Sequence, residues 1–150
     1  MRIFEVMTKP VHKISPVARA EDAWQLMYAK GIRHLVVADG SRVVGVLSDG
    51  DLGGRSGGAV RGGALVADLM EHHVITVAPN DTIPKAANLM RGHLSGCLPV
   101  MERGRLVGVV TVADILRIVG KGVDRPGRES RAATHYRVAH RRATAATGRW

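Results

Sequence analysis

Two short stretches of this chain close an apolar run with a hydroxyl and, three residues later, a carboxylate. They are Gly45-Val46-Leu47-Ser48-Asp49-Gly50-Asp51 and Gly108-Val109-Val110-Thr111-Val112-Ala113-Asp114. Where a strand gives way to a helix, residues i and i+3 share one side. Ser48 with Asp51, and Thr111 with Asp114, can therefore address one point above the strand end. A carboxylate beside a hydroxyl suits a ribose, whose two hydroxyls can donate to it. The free N–H groups of a helix start favour an anion in the same place. The bland counterpart is a helix cap built from the same residue types. A cap, however, requires neither the glycine nor the apolar pair ahead of it, and the whole pattern occurs twice.

The recurrence belongs to a longer register. Ile3-Phe4-Glu5-Val6-Met7 returns 63 residues on as Val66-Ala67-Asp68-Leu69-Met70, Pro16 as Pro79, Ala23 as Ala86, Met27 as Met90 and Leu35 as Leu98. Two copies of one supersecondary unit stack about a pseudo-two-fold axis and enclose a cleft with equivalent groups on both sides.

Each copy is expected to open with a helical turn (3–7, 66–70) and an extended segment (11–14, 74–77), then a helix of about three turns. Ala20, Ala23, Trp24 and Met27 form the apolar stripe of the first helix, with Gly31 to end it; Ile83, Ala86, Ala87 and Met90 form that of the second. Asn80, Asp81 or Thr82 caps the second helix, and Pro84 falls in its first turn. Hairpins follow, around Asp39-Gly40 and Glu102-Arg103-Gly104. A closing helix is expected over Ala113–Val119. Between Gly53 and Leu65, six of thirteen residues are glycine, so the first copy should lack a full closing helix and run instead as a mobile connector. That connector has no GxxxxGK[ST] pattern and no lysine, which argues against a phosphate loop.

Apolar residues make up 45% of the 150-residue chain and aromatics 3%, so the core is aliphatic. No apolar run approaches the ~20 residues that cross a bilayer. One cysteine, Cys97, excludes an internal disulfide, and a cytoplasmic location is the expectation. The net charge of +9 is concentrated at one end: residues 1–120 hold 14 Lys/Arg against 11 Asp/Glu, and residues 121–150 hold 8 against 2. The tail has no hydrophobic period and reads as a flexible basic extension.

The repeated unit resembles the cystathionine-β-synthase (CBS) domain, and the tandem pair resembles a Bateman module. The likeness spans Ile3 to about Val119. It rests on the Val-Met and Leu-Met leading turns, the Ile-Arg-His-Leu-Val-Val and Ser-Gly-Cys-Leu-Pro-Val strand starts, the GVLSDGD and GVVTVAD signatures, and their spacing. It implies an α/β fold of two pseudo-symmetric β-α-β-β-α repeats packed through their sheets, with repeats at 1–57 and 58–120, a connector at 53–65 and a tail at 121–150. It also implies a homodimer that binds AMP, ADP, ATP or S-adenosylmethionine as a regulatory ligand and signals to an effector protein. Carried over residue by residue, one cleft would use Val46, Ser48 and Asp51 with Ile75, Ser95 and Gly96. The other would use Val109, Thr111 and Asp114 with His12, Ile32 and Arg33.

The copies differ where phosphate needs a cation. Arg33-His34 stands where the second copy has Gly96-Cys97, so an anionic ligand is expected to lean on Arg33, with His34 adding charge below about pH 6.5. One tight site and one weak or empty site follow from that difference. The alternative for Arg33 is a capping role at a strand end. His72-His73 would point to opposite faces of a strand, which disfavours a metal site. Cys97 is expected to be a small buried apolar residue, and Met7, Met27, Met70 and Met90 to be core filler. No acid/base constellation emerges, so a ligand-sensing module rather than an enzyme is the leading reading. The alternative is a nucleic-acid-associated protein that grips phosphates through the basic tail, with the repeat pair as a dimerisation scaffold.

Overall fold

The computed structural model of the chain describes residues 1–53 and 58–121. Strands β2 (His34–Asp39) and β3 (Arg42–Ser48) pair antiparallel, with the short β1 (Lys13–Ile14) parallel to β2 on the other side. In the second copy, β4 (Cys97–Glu102) and β5 (Arg105–Thr111) form the matching hairpin. Each hairpin carries a register shift at the same place, between Val37 and Ala38 and between Val100 and Met101. The expected segment 74–77 is no strand: only Val77 bridges Val100, because too few of its backbone groups find partners. The second hairpin turns through Arg103 and Gly104, both at positive φ (50° and 75°), which matches the twist of the strands.

Helix α1 (Ala20–Lys30) buries Ala20, Ala23 and Met27 and stops at Gly31 in the left-handed conformation. Helix α4 (Ile83–His93) buries Ala86 and Met90, and Thr82 Oγ1 caps it by accepting the Lys85 N–H at 3.3 Å. Leu94 ends α4 in the left-handed conformation that Gly31 takes in the first copy. A one-turn helix, α2 (Gly58–Arg61), lies inside the glycine-rich connector and packs on α1. The connector is therefore not wholly a linker. Val60 joins the first core and supplies the burial that holds one turn despite the glycines. Helix α5 (Val112–Lys121) closes the second copy. From residue 122 onward the expected basic tail lies outside the described residues, and so does any nucleic-acid contact it would make. Among the described residues, no helix is long and apolar enough to cross a membrane.

The sequence repeats are not the packing units. Helix α3 (Val66–Leu69), which leads the second copy, places Val66 and Met70 in the core of the first, with Leu35, Val37, Leu47 and Leu52. The leading 3₁₀ turn Ile3–Glu5 puts Ile3 in the core of the second copy, with Leu98, Val100 and Val110. The main chain follows the same exchange. Glu71 N–H donates to Val46 O at 2.8 Å and accepts back from Val46 N–H at 3.1 Å; Thr8 does the same with Val109 at 2.8 and 3.2 Å. These bonds add a rung to the free side of β3 and of β5, so each sheet edge is covered by the opposite copy.

Glycine at Gly45 and Gly108 permits that approach. A Cβ on Gly45 would fall 2.5 Å from Met70 Sδ and 3.0 Å from the Glu71 carbonyl oxygen, and one on Gly108 would fall 2.7 Å from Met7 Sδ. The obstruction at Gly108 is a flexible thioether, whereas at Gly45 backbone also stands in the way. Gly45→Ala is therefore expected to destabilise the chain by about 1–3 kcal/mol and more than Gly108→Ala. Gly50→Ala, whose Cβ would meet Ser48 Oγ at an ordinary 3.6 Å, serves as the control. Thermal melting of the three variants checks this order; a Gly45→Ala melt matching wild type would contradict the close approach.

Candidate functional site

Both predicted carboxylates sit in the same reciprocal cap. Asp51 Oδ2 accepts the Ser48 N–H at 2.8 Å, and Ser48 Oγ accepts the Asp51 N–H at 3.2 Å. In the second copy Asp114 Oδ2 accepts the Thr111 N–H at 2.9 Å, and Thr111 Oγ1 accepts the Asp114 N–H at 3.2 Å. The capping function and the doubled pattern are thus one structure: the cap fixes each carboxylate at a strand end. A further bond ties each junction to the start of its own hairpin, Asp49 N–H to Arg33 O at 2.9 Å and Val112 N–H to Gly96 O at 3.0 Å.

The two junctions meet at His34. A Cβ on Gly96 would lie 3.1 Å from His34 Nε2, so the imidazole of one copy rests against the bare backbone of the other. Asp49, Asp51 and Asp114, carboxylates of both copies, all act on this ring electrostatically. Burial nevertheless dominates and lowers the His34 pKa from 6.5, aided by neighbouring Arg33 and opposed by the three carboxylates. The expectation that His34 charges below about pH 6.5 is thereby corrected: desolvation keeps it neutral to lower pH. Arg33 is engaged as well, its Nε 3.9 Å from Asp49 Oδ2, so its charge is shared with the protein rather than reserved for a ligand.

The other predicted residues take structural places around this seam. Val46 is buried and pairs with Glu71, and Val109 pairs with Thr8. Ile32 packs against the first core and Ile75 against the second. Ser95 Oγ donates to Cys97 O at 3.0 Å, and the half-buried His12 accepts the Val36 N–H through its carbonyl at 3.2 Å. Cys97 is buried, and desolvation, with Asp114 adding to it, pushes its thiol up to about 12. A thiol held protonated in this way is no nucleophile. The rings of His73 and His93 stand 6.0 Å apart at the surface, but among the described residues no three His, Cys, Asp or Glu side chains gather as a metal site.

Two residues outside the predicted set change the picture. Asp114 is only 4% exposed. Thr8 Oγ1, from the opposite end of the chain, donates to its Oδ1 at 3.2 Å and lies 3.4 Å from its Oδ2. Arg117 Nη2, one helical turn on, pairs with its Oδ1. Asp51 is half-buried, and among the described residues no side chain pairs with its Oδ1. Position 71, the counterpart of Thr8, is a glutamate whose Oε1 instead accepts the His73 N–H at 3.1 Å. The second copy thus carries a further cation, Arg117, beside its carboxylate, which the comparison of Arg33-His34 with Gly96-Cys97 did not include. The i, i+3 spacing of Asp114 and Arg117 was the available signal; nothing local marked Thr8. A cavity of about 500 Å³ opens at Phe4, Met7, Lys9, Pro79, Asn80, Glu102 and Val107, and none of the predicted ligand residues lines it.

Comparison with known proteins agrees with this arrangement. The CBS-domain family profile matches residues 3–52 and 66–121. The CBS domain-containing protein YhcV of Bacillus subtilis is 28% identical over 112 residues, covering 74% of this chain and 80% of that protein. A homoserine O-acetyltransferase of Methanohalophilus mahii is 27% identical over 124 residues, covering 81% of this chain. The chain spans only 25% of that enzyme's length. Among solved structures, CBSX2 in complex with AMP superposes with a TM-score of 0.66 at 27% identity, over 80% of this chain and 96% of that one.

The buried imidazole has a consequence for stability. Its folded pKa lies below the unfolded value of 6.5, so as pH falls the unfolded chain takes up the proton first. His34 thus contributes stability above pH 6.5 that drains away as pH drops below it. His34→Gln is expected to flatten the fall in melting temperature between about pH 7 and 5. Parallel melting curves for wild type and variant across that range would exclude the effect.

Proposed function

The chain belongs to the CBS-domain family, with two of its repeats in one polypeptide, and from that premise we propose that it is a regulatory module that binds an adenine-containing nucleotide between the repeats. The observation that carries this reading is the pair of matching caps, which hold Asp51 and Asp114 at corresponding strand ends, both acting electrostatically on His34. In this reading each carboxylate accepts the hydroxyls of a ribose, Asp114 by releasing Thr8 and Arg117, while apolar residues such as Ile32 and Ile75 wall the adenine. The binding of AMP by CBSX2, a relative of the same architecture, supports this choice of ligand. ADP, ATP and S-adenosylmethionine share the adenosine that the carboxylates would hold. Among the described residues no side-chain set suggests a reaction, and the bound molecule is read as a signal rather than a substrate.

Signalling requires that the ligand bind one arrangement of the repeats better than another, since equal affinity shifts nothing. The exchanged leading turns link the two halves, so a ligand between them acts on a joint shared by both cores. An effector protein would read the change. A second copy of this chain is the partner best matched to α5. Val112, Leu116 and Val119 form one stripe there, and Leu116 and Val119 are 61% and 77% exposed.

Two measurements test this reading. At a hundredfold excess over Kd, a bound nucleotide is expected to stabilise the chain by about 2.7 kcal/mol, seen as a raised melting temperature with AMP, ADP, ATP or S-adenosylmethionine. The combined change Asp51→Ala and Asp114→Ala should abolish the rise; no heat and no shift with any of the four in wild type would refute nucleotide sensing. Light scattering is expected to give twice the chain mass for wild type and the single mass for Leu116→Lys with Val119→Lys. A monomeric wild type would remove the dimer.

A further inference from the structure

We propose that the Asp114 pocket is latched by the chain itself, and that the latch makes this pocket selective for a phosphorylated nucleoside. The proposal rests on the nucleotide-binding reading above and concerns two residues that reading did not use, Thr8 and Arg117. They come from opposite ends of the described chain and converge on one carboxylate. With the Thr111 N–H on Oδ2, the Thr8 hydroxyl reaching both oxygens and Arg117 on Oδ1, Asp114 has its acceptor positions taken by protein groups. Asp51, in the same cap, has a glutamate at the position corresponding to Thr8 and Gly54 at the position corresponding to Arg117. A glutamate carboxylate has no proton to give to Asp51.

The two pockets therefore differ in what a ligand must displace. At Asp51, ribose hydroxyls can donate to Oδ1 without removing a protein side chain among the described residues. At Asp114, the ribose must replace the Thr8 hydroxyl and separate Arg117 from the carboxylate. A neutral nucleoside restores the hydrogen bonds that Thr8 gave up but offers nothing to the guanidinium. A nucleotide brings an anion of its own: its phosphate can accept charge-assisted bonds from the guanidinium in place of Asp114 Oδ1. Arg117 is well placed for the exchange, because its side chain is 38% exposed while that of Asp114 is 4% exposed. Thr8 keeps its place whatever its hydroxyl does, since its backbone N–H and carbonyl are bonded to Val109. The pocket at Asp114 therefore favours a ligand that pairs with Arg117.

Calorimetry with AMP and adenosine on an Asp51→Ala background isolates the Asp114 pocket. AMP is expected to bind about tenfold or more tighter than adenosine there, the discrimination given by a charge-assisted pair. Thr8→Val should tighten both ligands several-fold by removing the competing hydroxyl. Arg117→Met should erase the preference for AMP, while Arg117→Lys retains it, which a merely structural role would not require. An AMP preference that survives Arg117→Met, or weaker binding after Thr8→Val, overturns the latch. If the Asp51→Ala chain binds neither ligand, Thr8→Val must restore binding, and failure to do so also overturns it. If the wild-type chain binds neither ligand, the nucleotide reading falls and takes the latch with it; wild-type binding with an unaltered ratio in Arg117→Met removes the latch alone.

Discussion

The exchange of leading turns is the constraint on which the rest of the structure depends. Ile3 completes a core whose other members lie between residues 77 and 110, and Val66 completes one whose other members include Ala20 to Leu52. Neither apolar cluster is closed by its own sequence repeat. The backbone rungs at Thr8–Val109 and Glu71–Val46 then fix β5 and β3 against the borrowed segments. Those strands end in the hydroxyl–carboxylate caps, so the same rungs set where Asp114 and Asp51 stand. Gly45 and Gly108 matter for this reason: each lets a methionine of the other copy lie directly on the strand that leads to a cap.

Much of the fold was legible because the 63-residue register carried local chemistry with it. Gly31, Thr82 and the two hairpin turns each act within a few residues of themselves, and their physics can be read in a short window. The exchange was not legible for the converse reason. An apolar Ile3 or Val66 announces that it will be buried but not beneath which sheet, because both copies offer the same face. The one turn of α2 was hidden by glycine, whose backbone cost in the connector is offset by burial of Val60, a tertiary term with no local trace. Segment 74–77 erred the other way: its β-branched residues invite a strand, but the register offers it a single bridge.

The site shows the same division. Ser48, Asp51, Thr111 and Asp114 could be picked out because their bonds span three residues. Burial lowers the His34 pKa, and burial is a property of the assembled seam that the imidazole's own sequence context does not reveal. Comparing the copies position by position pointed to Arg33 and His34 as the cations. The structure adds Arg117 beside the second carboxylate, sets Arg33 3.9 Å from Asp49 and lowers the His34 pKa by burial. Pseudo-symmetry in the backbone is thus kept to a tenth of an ångström in the caps while the side chains around them diverge. Duplicated scaffolding with unequal surroundings is how one fold can present two different pockets.

The borrowed turns also set the order in which the protein can be completed during synthesis. Chains emerge from the ribosome N-terminus first, and early segments commonly settle before later ones appear. Here the segment from Ile3 to Thr8 must wait for Asp81 and Val109, made later, before its backbone groups find their partners. Its hydrophobic residues stay without a home until the second sheet has emerged. The first sheet, by contrast, acquires its lid as soon as Val66 and Glu71 leave the exit tunnel. The first sheet can therefore be enclosed before the second, although the turn that covers the second is made ahead of both.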